Sequence, residues 1–139
     1  MSIRDDLVEA HRLSLAHIAS PGAHLTAVRR VQIAEVARDA YLAADPSPPW
    51  ARPYGDPALD VAYRIARHAG TITEQWYEQV VTEGMHPLEW IEILGVVIAT
   101  VAPIAFARGV GVSLPEFPSP TEGEPTGHEA AELAPAKLN

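Results

Sequence analysis

The 139-residue chain contains no cysteine, and this absence excludes more chemistry than any other feature of the sequence. A disulfide, a thiolate zinc site, an iron–sulfur cluster, a cysteine nucleophile and a redox dithiol pair all need cysteine sulfur. Positive charge is also scarce, with ten Lys and Arg against eighteen Asp and Glu and a net charge of −8. This balance argues against a nucleic-acid backbone or an anionic membrane surface as the main partner. Any chemistry would therefore rest on histidine, carboxylate, arginine and tyrosine side chains.

The sequence falls into a body over residues 1–114 and a proline-rich acidic segment over residues 115–139. The chain is 47% apolar, which is enough for one domain with a buried core. The second part has five acidic residues and five prolines in 25 positions, so we expect a flexible tail or a strap over a neighbour. The first ten residues lack the basic start and apolar run of a secretory signal, which predicts a cytoplasmic protein.

Five helices and no convincing strand are predicted for the body, so the expected fold class is all-α. Thr26 and Asp56 are good N-caps, and Pro57 suits a first helical position. The predicted bounds are about Ser2 to Ala19, Thr26 to near Asp45, Asp56 to about His68, Thr73 to Gly84, and Pro87 to about Arg108. Gly109 is expected just beyond the last helix. The apolar sides of the first two helices are expected to include Leu7, Leu13, Leu15, Ile18, Val28, Val31, Ala34 and Tyr41.

The fifth helix contains fifteen consecutive uncharged residues, Ile93 to Ala107. A membrane-spanning helix needs roughly 20 apolar residues, and this run is interrupted by Gly95 and Pro103. We therefore expect a central core helix, kinked at Pro103, and no membrane partner. Because such a helix would leave much apolar surface exposed on a monomer, we also expect a homo-oligomer, most simply a dimer.

Several stretches of the body together resemble a known family. These are Glu89 to Val97 (EWIEILGVV), Phe106 to Val112 (FARGVGV) with the prolines that follow, and Gly22 to Ala40 upstream. In this order and spacing they resemble the AhpD-like, or carboxymuconolactone-decarboxylase-like, superfamily, in its alkylhydroperoxidase-related branch. The resemblance covers roughly residues 14–118. It implies an AhpD-like helical bundle that forms dimers, trimers or hexamers through its long apolar helices.

The same resemblance implies what this chain does not do. Peroxidase members of the family use a Cys-x-x-Cys pair with a nearby Glu and His that relay protons. This chain has no sulfur nucleophile at that place, so thiol-dependent peroxide reduction is excluded for this chain alone. The family's glutamate would fall at or beside Glu35. Larger members carry two similar halves, and residues 115–139 would then be the linker between halves.

Candidate acid–base residues are Glu35, His17 and His24. Glu35 and Asp39 lie four residues apart on one helix face, where repulsion between like charges could raise a carboxyl pKa and create a general acid or base. The alternative is a solvated face with a Glu35–Arg38 pair. His17 and His24 would face a pocket if it lay between the first two helices and the fifth. Each is otherwise an ordinary, locally hydrogen-bonded histidine.

Candidate ligand-binding residues are Arg38, Tyr41, Trp50, Tyr54 and Arg108. The three aromatic residues, with Tyr63, surround a loop with five prolines in twelve residues. They could form a lid over a small organic ligand or simply hold the loop in place. Arg108 could bind an anion or cap the last carbonyls of its helix.

Neither a metal nor a cofactor is expected. The spacing of His86, Glu89 and Glu92 makes a metal site conceivable, but a histidine before the helix and two carboxylates at its positive end are expected instead.

Two functions remain open at this stage. The first is a cysteine-free AhpD-like module that binds a ligand or supports assembly, without peroxidase activity. The second is a cofactor-independent lyase, decarboxylase or isomerase for a small carboxylated substrate, because cysteine-free decarboxylases occur in the same superfamily. The sequence leaves open whether the chain is an enzyme. Convergence of Glu35, Arg38, a histidine and the loop tyrosines on one cavity would favour the enzyme.

Overall fold

The computed structural model describes residues 3–127, with side chains from residue 5 onward, and within this range it is helical without strands. The helices are α1 (Ile3–Ile18), α2 (Ala27–Leu42), α3 (Pro57–His68), α4 (Glu74–Thr82) and α5 (Pro87–Val110), with a short 3-10 turn at Ala69–Thr71. The predicted all-α class and the five helices are confirmed. The part of the predicted tail over residues 128–139 lies outside the described residues.

Local capping explains where the middle helices begin. The Thr26 hydroxyl accepts a hydrogen bond from the Arg29 backbone N–H at 3.2 Å, and the Thr73 hydroxyl accepts one from Trp76 at 3.1 Å. Asp56 accepts from the Ala58 N–H at 3.1 Å, directly before Pro57. Each cap satisfies a backbone donor that the first turn of a helix leaves free. These three helix starts lie where the sequence predicts them.

The end of α5 corrects the prediction made for Gly109. The helix continues through Gly109 to Val110, and Gly111 is the left-handed residue, with φ of 72°. The N–H groups of Gly111 and Val112 both bond to the carbonyl of Ala107, the latter at 3.0 Å. This is a Schellman-type end, in which glycine adopts the positive φ without a Cβ clash. Of the two glycines near the helix end, Gly111 has the positive φ and donates to the Ala107 carbonyl, and Val112 donates the second bond.

Helix α5 is the central element, and its buried face packs against α1, α2 and α3. Ile93, Val96, Val97, Thr100 and Ile104 on this face are almost fully buried. The opposite face carries exposed Ile91, Gly95, Ile98, Ala102 and Ala105. We call these five residues the α5 stripe, because their spacing of four and three places them along one side of the helix.

Three residues expected on buried helix faces are exposed instead. Leu7 and Leu13 on α1, and Val28 on α2, are each about half exposed, whereas Leu15, Ile18, Val31 and Ala34 are buried. The apolar pattern of α1 is wider than the surface that α2 and α5 cover, so its outer residues stay in contact with solvent.

Helix α5 is also the single candidate for a membrane span among the described residues, by length and composition. The core helix of a soluble protein meets the same test, and just under half of its most apolar window is buried inside this domain.

After α5 the chain is irregular but lies against the domain. Phe117 packs against the core, and the Arg38 guanidinium lies 5.1 Å from the centre of its ring. Residues 119–127, which we call the strap, run beside the loop between α1 and α2. The Thr121 N–H donates to the carbonyl of Ala19 at 2.8 Å, and further strap residues bond to the same loop. The strap therefore forms part of the surface next to that loop.

Candidate functional site

A cavity of about 370 Å³ lies where the α1–α2 loop, the start of α5 and the strap meet. Its polar lining comes from His17, His24, Arg30 and Glu92, with Thr126 contributed by the strap. Apolar walls are formed by Pro21, Leu88 and Ile91. We call this the histidine cavity. It brings together two of the predicted acid–base residues, His17 and His24, between the helices where the sequence analysis placed a possible pocket.

A buried ion pair lines the histidine cavity. The Arg30 Nη1 atom donates to Glu92 Oε1 at 2.8 Å, and both side chains are 9% exposed. Arg30 Nε also donates to the carbonyl of Ile18 at 3.0 Å, and Glu92 Oε2 accepts from the His24 backbone N–H at 2.8 Å. The pair thus joins α2 and α5 to the end of α1 and the loop that follows it. With both carboxylate oxygens hydrogen-bonded, it fixes this wall of the cavity.

Gly22 makes the position of this ion pair possible. A Cβ atom built on Gly22 would lie 1.5 Å from Glu92 Oε1 and 2.5 Å from Arg30 Nη1. The backbone of Gly22 does not have a positive φ, so any residue could adopt its conformation. Glycine avoids this clash, because the loop passes directly against the charged ends of Glu92 and Arg30.

His24 presents a buried ring nitrogen to this region. Its Nε2 atom is buried and has no hydrogen-bond partner among residues 3–127. The ring stacks against His86, with centroids 5.4 Å apart and an interplanar angle of 22°. His86 is held in turn, because its Nδ1 accepts the N–H of Leu88 at 3.1 Å as the N-cap of α5. A buried polar atom without a partner is uncommon in proteins and calls for an explanation, such as a water molecule or a ligand atom that completes it.

The other predicted acid–base residue lies elsewhere. Glu35 is exposed on α2 and lines neither of the two cavities described here. The expected Glu35–Arg38 pair does not form, because Arg38 Nε donates to Asp39 at 3.0 Å and the guanidinium lies over Phe117. Arg38 therefore contacts α2 and the chain after α5, and not the histidine cavity.

The proline-rich loop is held by buried groups beneath it. The Tyr63 hydroxyl donates to the carbonyl of Ser47 at 2.8 Å, and His68 Nε2 contacts the same oxygen at 2.8 Å. Trp50 is 79% exposed, and Tyr54 packs at a tilted angle against Tyr63. The contacts of Tyr54, Tyr63 and His68 hold the loop in place, whereas the Trp50 ring is largely exposed.

The remaining predicted ligand-binding residues are also outside the histidine cavity. The backbone carbonyl of Tyr41 accepts a hydrogen bond from Arg67 Nη1 at 3.1 Å, which ties α2 to α3. Partial burial raises the pKa of the Tyr54 phenol, so its hydroxyl stays neutral at physiological pH. Arg108 is exposed in the last turn of α5. The structure thus separates these residues from His17 and His24.

A second cavity, of about 470 Å³, lies between α1, the C-terminal half of α5 and the chain that follows it. Its lining is mainly apolar, and His11 packs edge-on against Phe106 with centroids 5.1 Å apart. Arg12 at its edge is engaged by Glu9 at 2.7 Å, a contact that lowers the pKa of Glu9. Polar groups do not converge here as they do in the histidine cavity.

The described part of the chain holds no group of three or more His, Cys, Asp or Glu residues placed to bind a metal ion. His86, Glu89 and Glu92 do not form such a group. His86 acts as an N-cap, and Glu92 is bound to Arg30.

Arg30 is the functional candidate that sequence reasoning missed. It is one of two adjacent arginines on α2, and its partner Glu92 is 62 residues away. The available signal was an arginine on the buried side of a helix, because a buried arginine needs a carboxylate or several carbonyls as partners. From the sequence, Glu92 is a conceivable metal ligand or a carboxylate at the positive end of its helix, and neither interpretation predicts the pair with Arg30.

Comparisons of the chain with family models, with curated proteins and with solved structures find no match. Apart from the sequence resemblance given above, the geometry of the cavity is therefore the basis for any functional conclusion.

Proposed function

We propose that this chain is a cysteine-free helical module of the AhpD-like type that binds a small molecule in the histidine cavity. The observation that carries the proposal is the buried Nε2 of His24, which has no partner within the described chain. Leaving such a nitrogen unpaired costs free energy, about 1–3 kcal/mol for a typical polar group. A ligand atom that hydrogen-bonds to it would recover this cost.

The size and lining of the cavity support a small organic ligand. A volume of about 370 Å³ is within the usual range for ligand pockets, roughly 300–1,000 Å³. Apolar walls on one side and a few convergent polar groups on the other are the usual arrangement of such sites. Leu88 and Ile91 would contact the apolar part of the ligand, and His17 and His24 its polar part.

The site is also preorganised, which favours binding. The backbone of His24 is held by Glu92 and its ring by the stack on His86. Groups that are already held in place lose little further freedom when a ligand arrives. Arg30 lies at the cavity with its charge balanced by Glu92, so the local field favours neither a strong cation nor a strong anion.

The lyase or isomerase hypothesis has weaker support. Convergence of Glu35, Arg38, a histidine and the loop tyrosines on one cavity would favour it, but Glu35 and Arg38 lie apart from the histidine cavity. The carboxylate that is close, Glu92, has both oxygens hydrogen-bonded to Arg30 and to the His24 N–H. A carboxylate held in this way is poorly placed to accept a substrate proton.

Ligand binding is testable through the histidine rings. We would record long-range ¹H–¹⁵N spectra of histidine-labelled protein during titration with a fragment set that includes benzoate and benzamide as an anionic and neutral pair. Bound fragments should shift the ring signals of His24 and His17, and in the His24→Phe variant the His17 signals should no longer respond. The control is His11→Ala, which alters the second cavity and should bind as the wild type does. The proposal would be contradicted if the fragments shift only the His11 ring signals, or if they shift no histidine ring signal.

We further propose that the module assembles as a symmetric dimer through the α5 stripe. Ile91 and Ile98 are each more than half exposed on this face, and small residues lie between and beyond them. Their spacing is typical of a helix that packs lengthwise against another helix. Sedimentation velocity over a range of concentrations would test this, with a dimer expected and a monomer at all concentrations contradicting it. The cytoplasmic location stays a prediction.

A further inference from the structure

We propose that the strap, residues 119–127, is a removable wall of the histidine cavity that opens about Phe117 and controls access to it. Thr126 on the strap lines the cavity together with His17 and His24. Movement of the strap would therefore change the cavity itself. The functional meaning of this gate depends on the proposed ligand binding, but the opening of the wall can be measured without a ligand.

The strap is fastened mainly by its backbone. The N–H groups of Thr121, Thr126 and Gly127 donate to the carbonyls of Ala19, Gly22 and Ala23, at 2.8, 2.8 and 3.0 Å. The Thr121 hydroxyl adds a bond to the carbonyl of Ala19 at 3.2 Å.

Little apolar burial supports these hydrogen bonds. All strap residues are exposed except Pro125, which is half-buried. Exposed hydrogen bonds with few apolar contacts are the features of segments that open locally while the rest of a domain stays folded.

Phe117 gives the motion a fixed end. Its ring packs against the core and lies under the Arg38 guanidinium. The chain just before the strap therefore stays in place when the strap leaves. Opening at residue 119 would uncover the α1–α2 loop carbonyls and one side of the cavity, while the core and the Arg30–Glu92 pair remain.

Chemical modification of histidine measures this opening. Diethyl pyrocarbonate acylates an accessible imidazole nitrogen, and peptide mass mapping gives the rate for each histidine. His24 Nε2 is buried, so the wild type should react slowly at this nitrogen. A chain ending at Pro118 should react at least tenfold faster there. The matched control ends at Gly127, keeps the whole strap and should behave as the wild type.

His68 serves as an internal reference, because its Nε2 is bonded to Ser47 and not to the strap. Its rate should be equal in all variants. If truncation at Pro118 accelerates His68 as well, the truncated chain has lost its fold and Thr121→Val decides the question. That variant removes one hydroxyl hydrogen bond and should raise the His24 rate roughly fivefold. An unchanged His24 rate in Thr121→Val, or in a folded chain ending at Pro118, would overturn the proposal.

Discussion

Replacing Gly22 with Ala is the most incisive single test of how the histidine cavity is built. The added methyl group would lie 1.5 Å from Glu92 Oε1, far inside any allowed contact. The end of a glutamate side chain can rotate away from the methyl group. The loss in free energy of unfolding is therefore that of the hydrogen bonds that the carboxylate would no longer make. Those are the 2.8 Å bond from Arg30 and the 2.8 Å bond from the His24 N–H.

The expected loss follows from the burial of the pair. Both side chains are 9% exposed, and Arg30 would keep its charge without its carboxylate. Removing one partner from a buried ion pair costs about 3–5 kcal/mol. Because Glu92 could swing into the cavity and regain some water, we expect about 3 kcal/mol. For a domain of this size such a loss lowers the thermal midpoint by roughly 10 °C.

The assay is urea unfolding followed by far-ultraviolet circular dichroism and tryptophan fluorescence. Gly70→Ala is the matched control, because a Cβ at Gly70 meets no described atom within 4 Å, and it should change stability by less than about 1 kcal/mol. The Glu92→Ala variant completes a double-mutant cycle. With that side chain gone, Gly22→Ala should cost much less. An equal cost in both backgrounds, or near wild-type stability of Gly22→Ala, would refute the reasoning.

Three further predictions concern the core, the helix cap and the loop. Val97→Asp should abolish folding, because Val97 is 2% exposed and the new carboxylate would be buried without a partner. The neighbouring Ile98 is on the exposed α5 stripe, so Ile98→Asp should remain helical by circular dichroism and sediment as a monomer. Asp56→Ala should lose about 1 kcal/mol near neutral pH. The hydrogen bond from Arg29 lowers the pKa of Asp56 in the folded protein. The stabilisation by the Asp56 carboxylate is therefore present above the carboxyl pKa of the unfolded chain and is lost as the pH falls through the lower pKa of the folded protein. Urea titrations at neutral and acidic pH would show this loss. Tyr63→Phe should lose about 1 kcal/mol in the same assay and speed amide exchange around Ser47, and unchanged exchange would contradict the role given to this bond.

The helix starts were predictable because their causes are local. Thr26, Asp56 and Thr73 each cap a helix through a bond to a backbone N–H two or three residues ahead. Proline at residue 57 and the proline-rich run before it are equally local signals. The sequence did not predict the end of α5 correctly, because Gly109 and Gly111 are both suitable residues for ending a helix. The hydrogen bonds to the Ala107 carbonyl place the end at Gly111.

About half of the candidate site could be anticipated. His17 and His24 were named and do line one cavity. Glu35 and Arg38 were named from a helix spacing and from a family position, and they lie elsewhere. Spacing within one helix shows which side chains are neighbours on that helix. It does not show which side of the helix meets another element.

The amino-acid sequence by itself determined the helical class, the helix starts and the absence of thiol chemistry. Capping residues and prolines act on the few residues beside them, and the lack of cysteine is a matter of composition that does not depend on the fold. Only the tertiary structure decided which face of α5 is buried, since the run from Ile93 to Ala107 carries no charge on any side. It also decided that Arg30 meets Glu92 across 62 residues and that a side chain at position 22 would displace the Glu92 carboxylate. Such contacts depend on how the helices pack together, which no local pattern specifies.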